Sequence, residues 1–368
     1  MRGLLLLCKV GERMSYIPRE GETAEQRAKR RARKRRLYRL RQRIIELCIL
    51  SALVAAVAIP VSIGVRSCSK PNEPTLSTIS EPTSVQKPVF PVYTADTVTL
   101  TDDVDADYAL LMDVDDNRVL AAKGADVRTY PASVTKVMTL LVAVENISDF
   151  TDTFTMTYAI TDPLYLANAT VAGFSNNEAV TMEDLLYGTI LPSGADACQA
   201  LAIYVAGSDE AFVTLMNQRA QEMGLKNTHF TNTSGLHDKD HYTTAEDMAV
   251  ILRVAMENPH CRQVLSTYQY TTASTPQHPE GILLTSTLFG RMYGTEPDGA
   301  TVVAGKTGYT SQAGHTVVSY AEGLDGHDYI LVTLKGSNRW KATYDAINLY
   351  TEFSPLSEET TTKTSATG

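Results

Sequence analysis

Tyr130-Pro-Ala-Ser-Val-Thr-Lys136 runs directly into an apolar series, Val137, Met138, Leu140, Leu141, Val142 and Val144. A proline followed by a near-continuous apolar run predicts a largely buried helix starting at about Ser133. Positions i and i+3 share a helix face, so Lys136 sits one turn from Ser133. A serine hydroxyl is a poor nucleophile at neutral pH and needs a neighbouring base. A lysine amine serves as that base only if burial or a nearby cation lowers its pKa. The apolar run meets the first condition. At the start of a helix, Ser133 would also feel the positive end of the dipole, worth ~0.3–1 kcal/mol to a developing alkoxide. The same Ser-x-x-Lys spacing recurs at Ser67-Cys-Ser-Lys70 and Ser84-Val-Gln-Lys87, but in a Pro/Ser/Thr-rich stretch without helical periodicity. Those copies are read as chance.

Two further strings follow in order, Ser193-Gly-Ala195 and Lys306-Thr-Gly308. With Ser133 and Lys136 they describe one site, in which a serine attacks an acyl group and lysines manage protons and charge. Lys306 is then the second cation that lowers the pKa of Lys136.

The surrounding pattern sets the fold class. Tyr108–Asp113 and Arg118–Ala122 read as strands joined by the turn-forming Asp115-Asp-Asn117. Thr301–Lys306, His315–Tyr320 and Asp328–Leu334 read as three consecutive strands, followed by an amphipathic helix from Trp340 to Phe353. Between them lie helices: one opened by Thr181-Met-Glu-Asp184, one over Ala195–Val205, and one over Ser208–Met223 closed by Gly224. Another is capped by Thr243-Thr-Ala-Glu246 and ends at Asn258-Pro259. Residues 151–180 are Thr-rich and irregular, which predicts short strands and loops. The class is mixed α/β: an antiparallel sheet packed with helices, plus a mostly helical subdomain.

Charge divides the chain sharply. Residues 1–43 carry 15 Lys/Arg against 4 Asp/Glu, a net of +11, whereas the remainder carries 18 basic and 38 acidic residues, a net of −20. Alone, the basic segment would suit nucleic acid. The 19 uncharged residues from Leu47 to Val65 argue against that, because they match a hydrocarbon core of ~30 Å. Basic residues directly before such a span place the N-terminus in the cytoplasm and the rest of the chain outside. The expected organisation is a basic cytoplasmic segment (1–43), a transmembrane signal-anchor (44–65), a Pro/Ser/Thr-rich spacer (66–105), a catalytic domain (106–353) and a tail (354–368). A cleaved signal peptide is the rival reading, since Ala56-Val-Ala58 resembles a processing site. The five cysteines form neither a disulfide framework nor a zinc pattern. No cofactor, metal or nucleic-acid partner is expected.

From about 106 to 350 the chain resembles the serine D-Ala-D-Ala carboxypeptidases, the low-molecular-weight penicillin-binding proteins, which have a β-lactamase/transpeptidase-like fold. Besides the three motifs, the likeness rests on Leu185-Leu-Tyr-Gly-Thr-Ile-Leu-Pro-Ser-Gly194, Gly224-Leu-Lys-Asn-Thr-His-Phe230, Ser234-Gly-Leu-His237, His241-Tyr-Thr-Thr-Ala245 and Gly305-Lys-Thr-Gly-Tyr-Thr310. The resemblance implies a peptidoglycan peptide as substrate and β-lactams as inhibitors. It makes Ser133 the nucleophile, Lys136 the acceptor of its proton and Ser193 a relay to the departing D-alanine. Lys306 and Thr307 would receive the substrate carboxylate. The glycine at 308 lets the peptide approach, and the Ser133 and Tyr309 N–H groups would form the oxyanion hole.

One departure matters. The third residue of the middle motif is normally Asn, and here it is Ala195. A non-catalytic or weakly active wall-binding homologue is therefore one alternative. A β-lactamase is another, with Glu178 and Glu183 as the nearest candidate carboxylates to activate water. His237-Asp-Lys-Asp-His241 lacks the glutamate of a zincin helix.

Overall fold

The computed structural model describes residues 90–354. The basic segment, the apolar span, most of the spacer and all of the tail beyond Ser354 lie outside the described residues. Among the described residues, no helix is long and apolar enough to cross a membrane.

Strands β1 (Val98–Thr99), β2 (Tyr108–Asp113) and β3 (Arg118–Lys123) precede helix α1 (Lys136–Asn146). A helical middle follows: α2 (Tyr158–Leu166), α3 (Met182–Ile190), α4 (Ala195–Ala206), α5 (Asp209–Glu222), α6 (Ala245–Glu257) and α7 (Pro259–Leu265). Two small ribbons flank it, β4 (Thr153–Thr155) with β5 (Ala179–Thr181), and β6 (Gln269–Thr271) with β7 (Leu283–Thr285). The chain closes with α8 (Thr287–Met292), β8 (Ala300–Thr310), β9 (Gly314–Gly323), β10 (Asp328–Gly336) and α9 (Arg339–Phe353).

The main sheet has the order β1-β3-β2-β10-β9-β8, so the last strands of the chain join the first, and β8 forms an edge. Leu331 of β10 pairs with Leu111 on one side and Ser319 on the other, both antiparallel. Only β1 runs parallel to its neighbour. Successive side chains point to opposite faces of a strand, and both faces are apolar here. Ile330, Val332 and Leu334 pack into the large core that holds α1, α3, α4 and α6. Tyr329 and Leu331 face the other way, onto Ala342, Ala346, Leu349 and Tyr350 of α9. Three layers result, and α1 is buried from Lys136 to Val144. The expected strands and mixed class are present, as are the caps: Thr181, Ser208 and Thr244 each accept a backbone N–H three residues on.

Two boundaries differ from expectation. Ordered pairing begins ahead of Ala106: Val92 N donates to Asn117 O, Val119 N donates to Val92 O, and Leu100 N donates to Ala122 O. These contacts are single bridges and a two-residue strand, too short to leave a periodic pattern. Within 151–180, α2 forms where loops were expected. It carries Pro163 in its interior and buries only Ile160 and Leu164, so neither propensity nor a full apolar stripe announces it.

Candidate active site

Ser133, the candidate nucleophile, sits in a strained turn. Ala132–Thr135 is a 3₁₀ turn, and the α-helix begins only at Lys136, so Ser133 precedes the helix expected to carry it. Ala132 has φ +51°, a left-handed conformation that costs a non-glycine residue on the order of 1–2 kcal/mol. Its surroundings hold it there. Thr135 Oγ1 donates to Ala132 O at 2.7 Å, and Thr316 Oγ1, from β9, donates to Pro131 O at 3.1 Å. Gly235 lies so close that a Cβ there would stand 1.9 Å from Ala132 O.

Lys136 is 2% exposed, and its Nζ lies 3.1 Å from Ser133 Oγ and 2.5 Å from Ser234 O. Burial holds its pKa below the ordinary ammonium range, against the opposing influence of groups that include the Asp196 carboxylate. Lys306, 1% exposed on edge strand β8, donates to Thr307 O at 2.8 Å. Its pKa is pushed far down, first by burial and then by the charge of Lys136. The charge of Lys136 thus disfavours a second charge on Lys306.

Ser193 lies between α3 and α4 with φ +71° and is buried. Its Oγ makes no hydrogen bond among the described residues. A second bridge joins the motifs: Thr287 N donates to Leu191 O at 3.0 Å, beside the middle motif, and Thr287 Oγ1 lies 2.8 Å from Thr307 Oγ1. Gly308 packs on the nucleophile turn, where a Cβ would stand 2.7 Å from Ser133 N. Tyr309 is exposed, with its ring stacked on His315 at 4.4 Å. Ser133, Lys136, Thr307 and Gly308 therefore share one cleft edge, with the Ser193 loop tied to it through Thr287.

Several supports escaped the sequence reading. Asn232 Oδ1 accepts the N–H groups of Ser234, Gly235 and Leu236 at 2.7–3.2 Å, which fixes the loop whose carbonyl receives Lys136. The Asn-x-Ser-Gly spelling is a turn signal that could have marked it. His241 is buried, accepts Thr231 N at Nδ1 (3.1 Å), and lies 2.8 Å from Thr135 Oγ1 through Nε2. Burial pushes its pKa down to about 4, so it is neutral and donates from Nε2. Both of its nitrogens are engaged here.

Asp196, Glu178 and Glu183 are committed to other contacts. Asp196 accepts the N–H groups of Ala172, Gly173 and Ala197, which pins the 170–173 segment over Ala195. Glu178 receives Ser175 N, Thr275 Oγ1 and His278 Nδ1, and Glu183 pairs with His260 at 2.7 Å. Cys198 is buried, with its thiol donating to Gly194 O.

Residues 94–338 match the D-alanyl-D-alanine carboxypeptidase family of peptidases. The chain belongs to this family. It is 30% identical over 218 residues to D-alanyl-D-alanine carboxypeptidase DacF of Bacillus subtilis, covering 59% of this chain and 54% of that one. It is 32% identical over 247 residues to D-alanyl-D-alanine carboxypeptidase DacA of Escherichia coli, covering 65% and 58%. The chain thus spans little more than half the length of these relatives. Among solved structures, the Streptomyces K15 DD-transpeptidase superposes with a TM-score of 0.61 at 29% identity, covering 68% of this chain and 97% of that one. Penicillin binding protein 5 from Haemophilus influenzae gives 0.60 at 29%, covering 67% and 70%. Membership of the carboxypeptidase family is compatible with the geometry, in which Lys136 Nζ lies 3.1 Å from Ser133 Oγ and Gly308 packs on the Ser133 turn.

Proposed function

We propose that this protein is a serine D-Ala-D-Ala carboxypeptidase that removes the terminal D-alanine from peptidoglycan stem pentapeptides through an acyl-enzyme on Ser133. The observation that carries the reading is the contact between Lys136 Nζ and Ser133 Oγ, made inside a buried setting that favours the neutral amine. A neutral Lys136 accepts the Ser133 proton as the oxygen attacks the penultimate alanine carbonyl. The substrate's terminal carboxylate, arriving at Thr307, favours a charged Lys306. The N–H groups of Ser133 and Tyr309 receive the oxyanion, and the Ser193 hydroxyl passes a proton to the departing amine. Water then hydrolyses the ester.

Ala195 leaves Lys136 without the amide that family members place beside it, so turnover is slow. The β-lactamase reading is disfavoured because Glu178 and Glu183 are both tied into other contacts. Release of D-alanine from a pentapeptide by wild type, but not by Ser133→Ala, tests the proposal. A silent wild type would favour the non-catalytic homologue. Transfer of the acyl group to an amine is a second fate, suggested by the likeness to a DD-transpeptidase, and mass analysis of the peptide product with an acceptor amine present detects it.

The location of the enzyme is likewise our reading, and it rests on sequence. The +11 segment before the uncharged Leu47–Val65 run supports a single-pass anchor with a cytoplasmic N-terminus and a catalytic domain outside the membrane. A reporter fused after Phe353 should be active only outside the cytoplasm; cytoplasmic activity would refute the topology.

A further inference from the structure

A polar pocket of about 370 Å³ opens where the nucleophile segment meets the β8–β9 turn. Tyr130, three residues before Ser133, forms one wall, and Gln312, three residues after Tyr309, forms another. Three cations line it, Arg128, Lys239 and Lys335, and none of its lining residues is acidic. The cations have different commitments. The Arg128 guanidinium lies 4.5 Å over the Tyr242 ring and hydrogen-bonds two neutral groups, Asn227 Oδ1 and Lys226 O. Lys335 pairs with Asp107 at 2.8 Å and Lys239 with Asp240 at 3.0 Å, with all four side chains between 46% and 83% exposed. Exposed pairs of this kind hold weakly and exchange readily for another anion.

The direction of the cleft brings a peptide here. From Thr307, which receives the terminal carboxylate, to Tyr309, which faces the scissile carbonyl, β8 leads toward the N-terminal side of a bound substrate. An extended peptide added to this free edge advances about 3.3 Å per residue. About two or three residues upstream of the scissile bond it reaches Gln312 and the pocket beyond.

We infer that this pocket receives a carboxylate carried by the substrate peptide about two or three residues upstream of the scissile bond, making the enzyme selective for acidic stem peptides. The inference rests on the carboxypeptidase reading. The test uses two synthetic pentapeptides ending in D-Ala-D-Ala, identical except that the upstream carboxyl is free in one and a carboxamide in the other. Wild type should show kcat/KM about fivefold higher for the free acid at low salt, the size expected of one exposed charge pair. The ratio should fall toward unity in 0.5 M salt and in the Lys239→Gln/Lys335→Gln double variant. Equal hydrolysis of both peptides by wild type would overturn the inference while leaving the carboxypeptidase reading intact. A ratio unchanged in the double variant would also overturn it, by moving the selectivity elsewhere. Failure to hydrolyse either peptide would overturn both.

Discussion

Gly308 lies against Ser133 so closely that a Cβ at position 308 would stand 2.7 Å from the serine's backbone nitrogen and 2.5 Å from Thr316 Oγ1. The third motif therefore fixes the place of Ser133. Gly308→Ala must push the turn and the Ser133 N–H out of line. Displacing one oxyanion donor costs about 2.7–4 kcal/mol. The acylation rate with a β-lactam should fall about a hundred- to a thousandfold, and far-UV circular dichroism should stay native. Unchanged acylation would show that the turn tolerates the shift.

The lysine pair predicts a pH signature. Lys136 must be neutral to accept a proton, so acylation should rise with pH through an apparent pKa below that of ordinary lysine. The repulsion between the two amines falls on Lys306, whose pKa the charge of Lys136 pushes further down. Because burial alone lowers Lys136, Lys306→Gln should weaken carboxylate recognition and leave the rising limb in place. A stopped-flow pH profile of acylation measures it. A limb that moves to higher pH in this variant would show instead that a charged Lys306 depresses Lys136.

Acid stability should report on His241. Its pKa is about 4 in the fold against 6.5 when free, so the unfolded chain binds more protons between those values. Stability is therefore lost as pH falls from 6.5 to 4, by up to about 3 kcal/mol. His241→Gln keeps an amide able to reach Thr135, and it should lower Tm at pH 7.5 but flatten the decline in Tm between pH 6.5 and 4. A decline as steep as in wild type would assign the acid sensitivity to other groups.

Ala195 offers a gain-of-function test. Ala195 is 2% exposed at the start of α4, and Asp196, pinned by Ala172, Gly173 and Ala197, cannot substitute for an amide there. Restoring one hydrogen bond to a charged partner is worth about 1.5–3 kcal/mol. Ala195→Asn should raise kcat/KM for D-alanine release about ten- to a hundredfold, with a small change in Tm. No gain would mean that the amide is not limiting.

The sheet and most helices were legible because each long element carries its own signal: a short continuous apolar run in β10, buried on both faces, and caps at Thr181 and Thr244 ahead of apolar runs. Ser133, Lys136, Lys306 and Thr307 were legible through motif order. The features that hold them were not. The φ of Ala132, the clasp of Asn232 on Ser234–Leu236, the Thr287 bridge and the His241–Thr135 contact join residues far apart in the chain or depend on backbone conformation. Neither kind leaves a periodic trace. Helix α2 was hidden by Pro163, and the pairing of Val92 and Val98 by its brevity.

The central claim is that Ser133 is acylated with Lys136 as its base. Intact-mass spectrometry after incubation with a β-lactam, followed by peptide mapping, tests it most directly. The account predicts one adduct on Ser133 in wild type, none in Ser133→Ala, and an adduct formed at least a hundredfold more slowly in Lys136→Gln, on the order of a lost general base. An adduct that persists in Ser133→Ala, or maps to another residue, would contradict it.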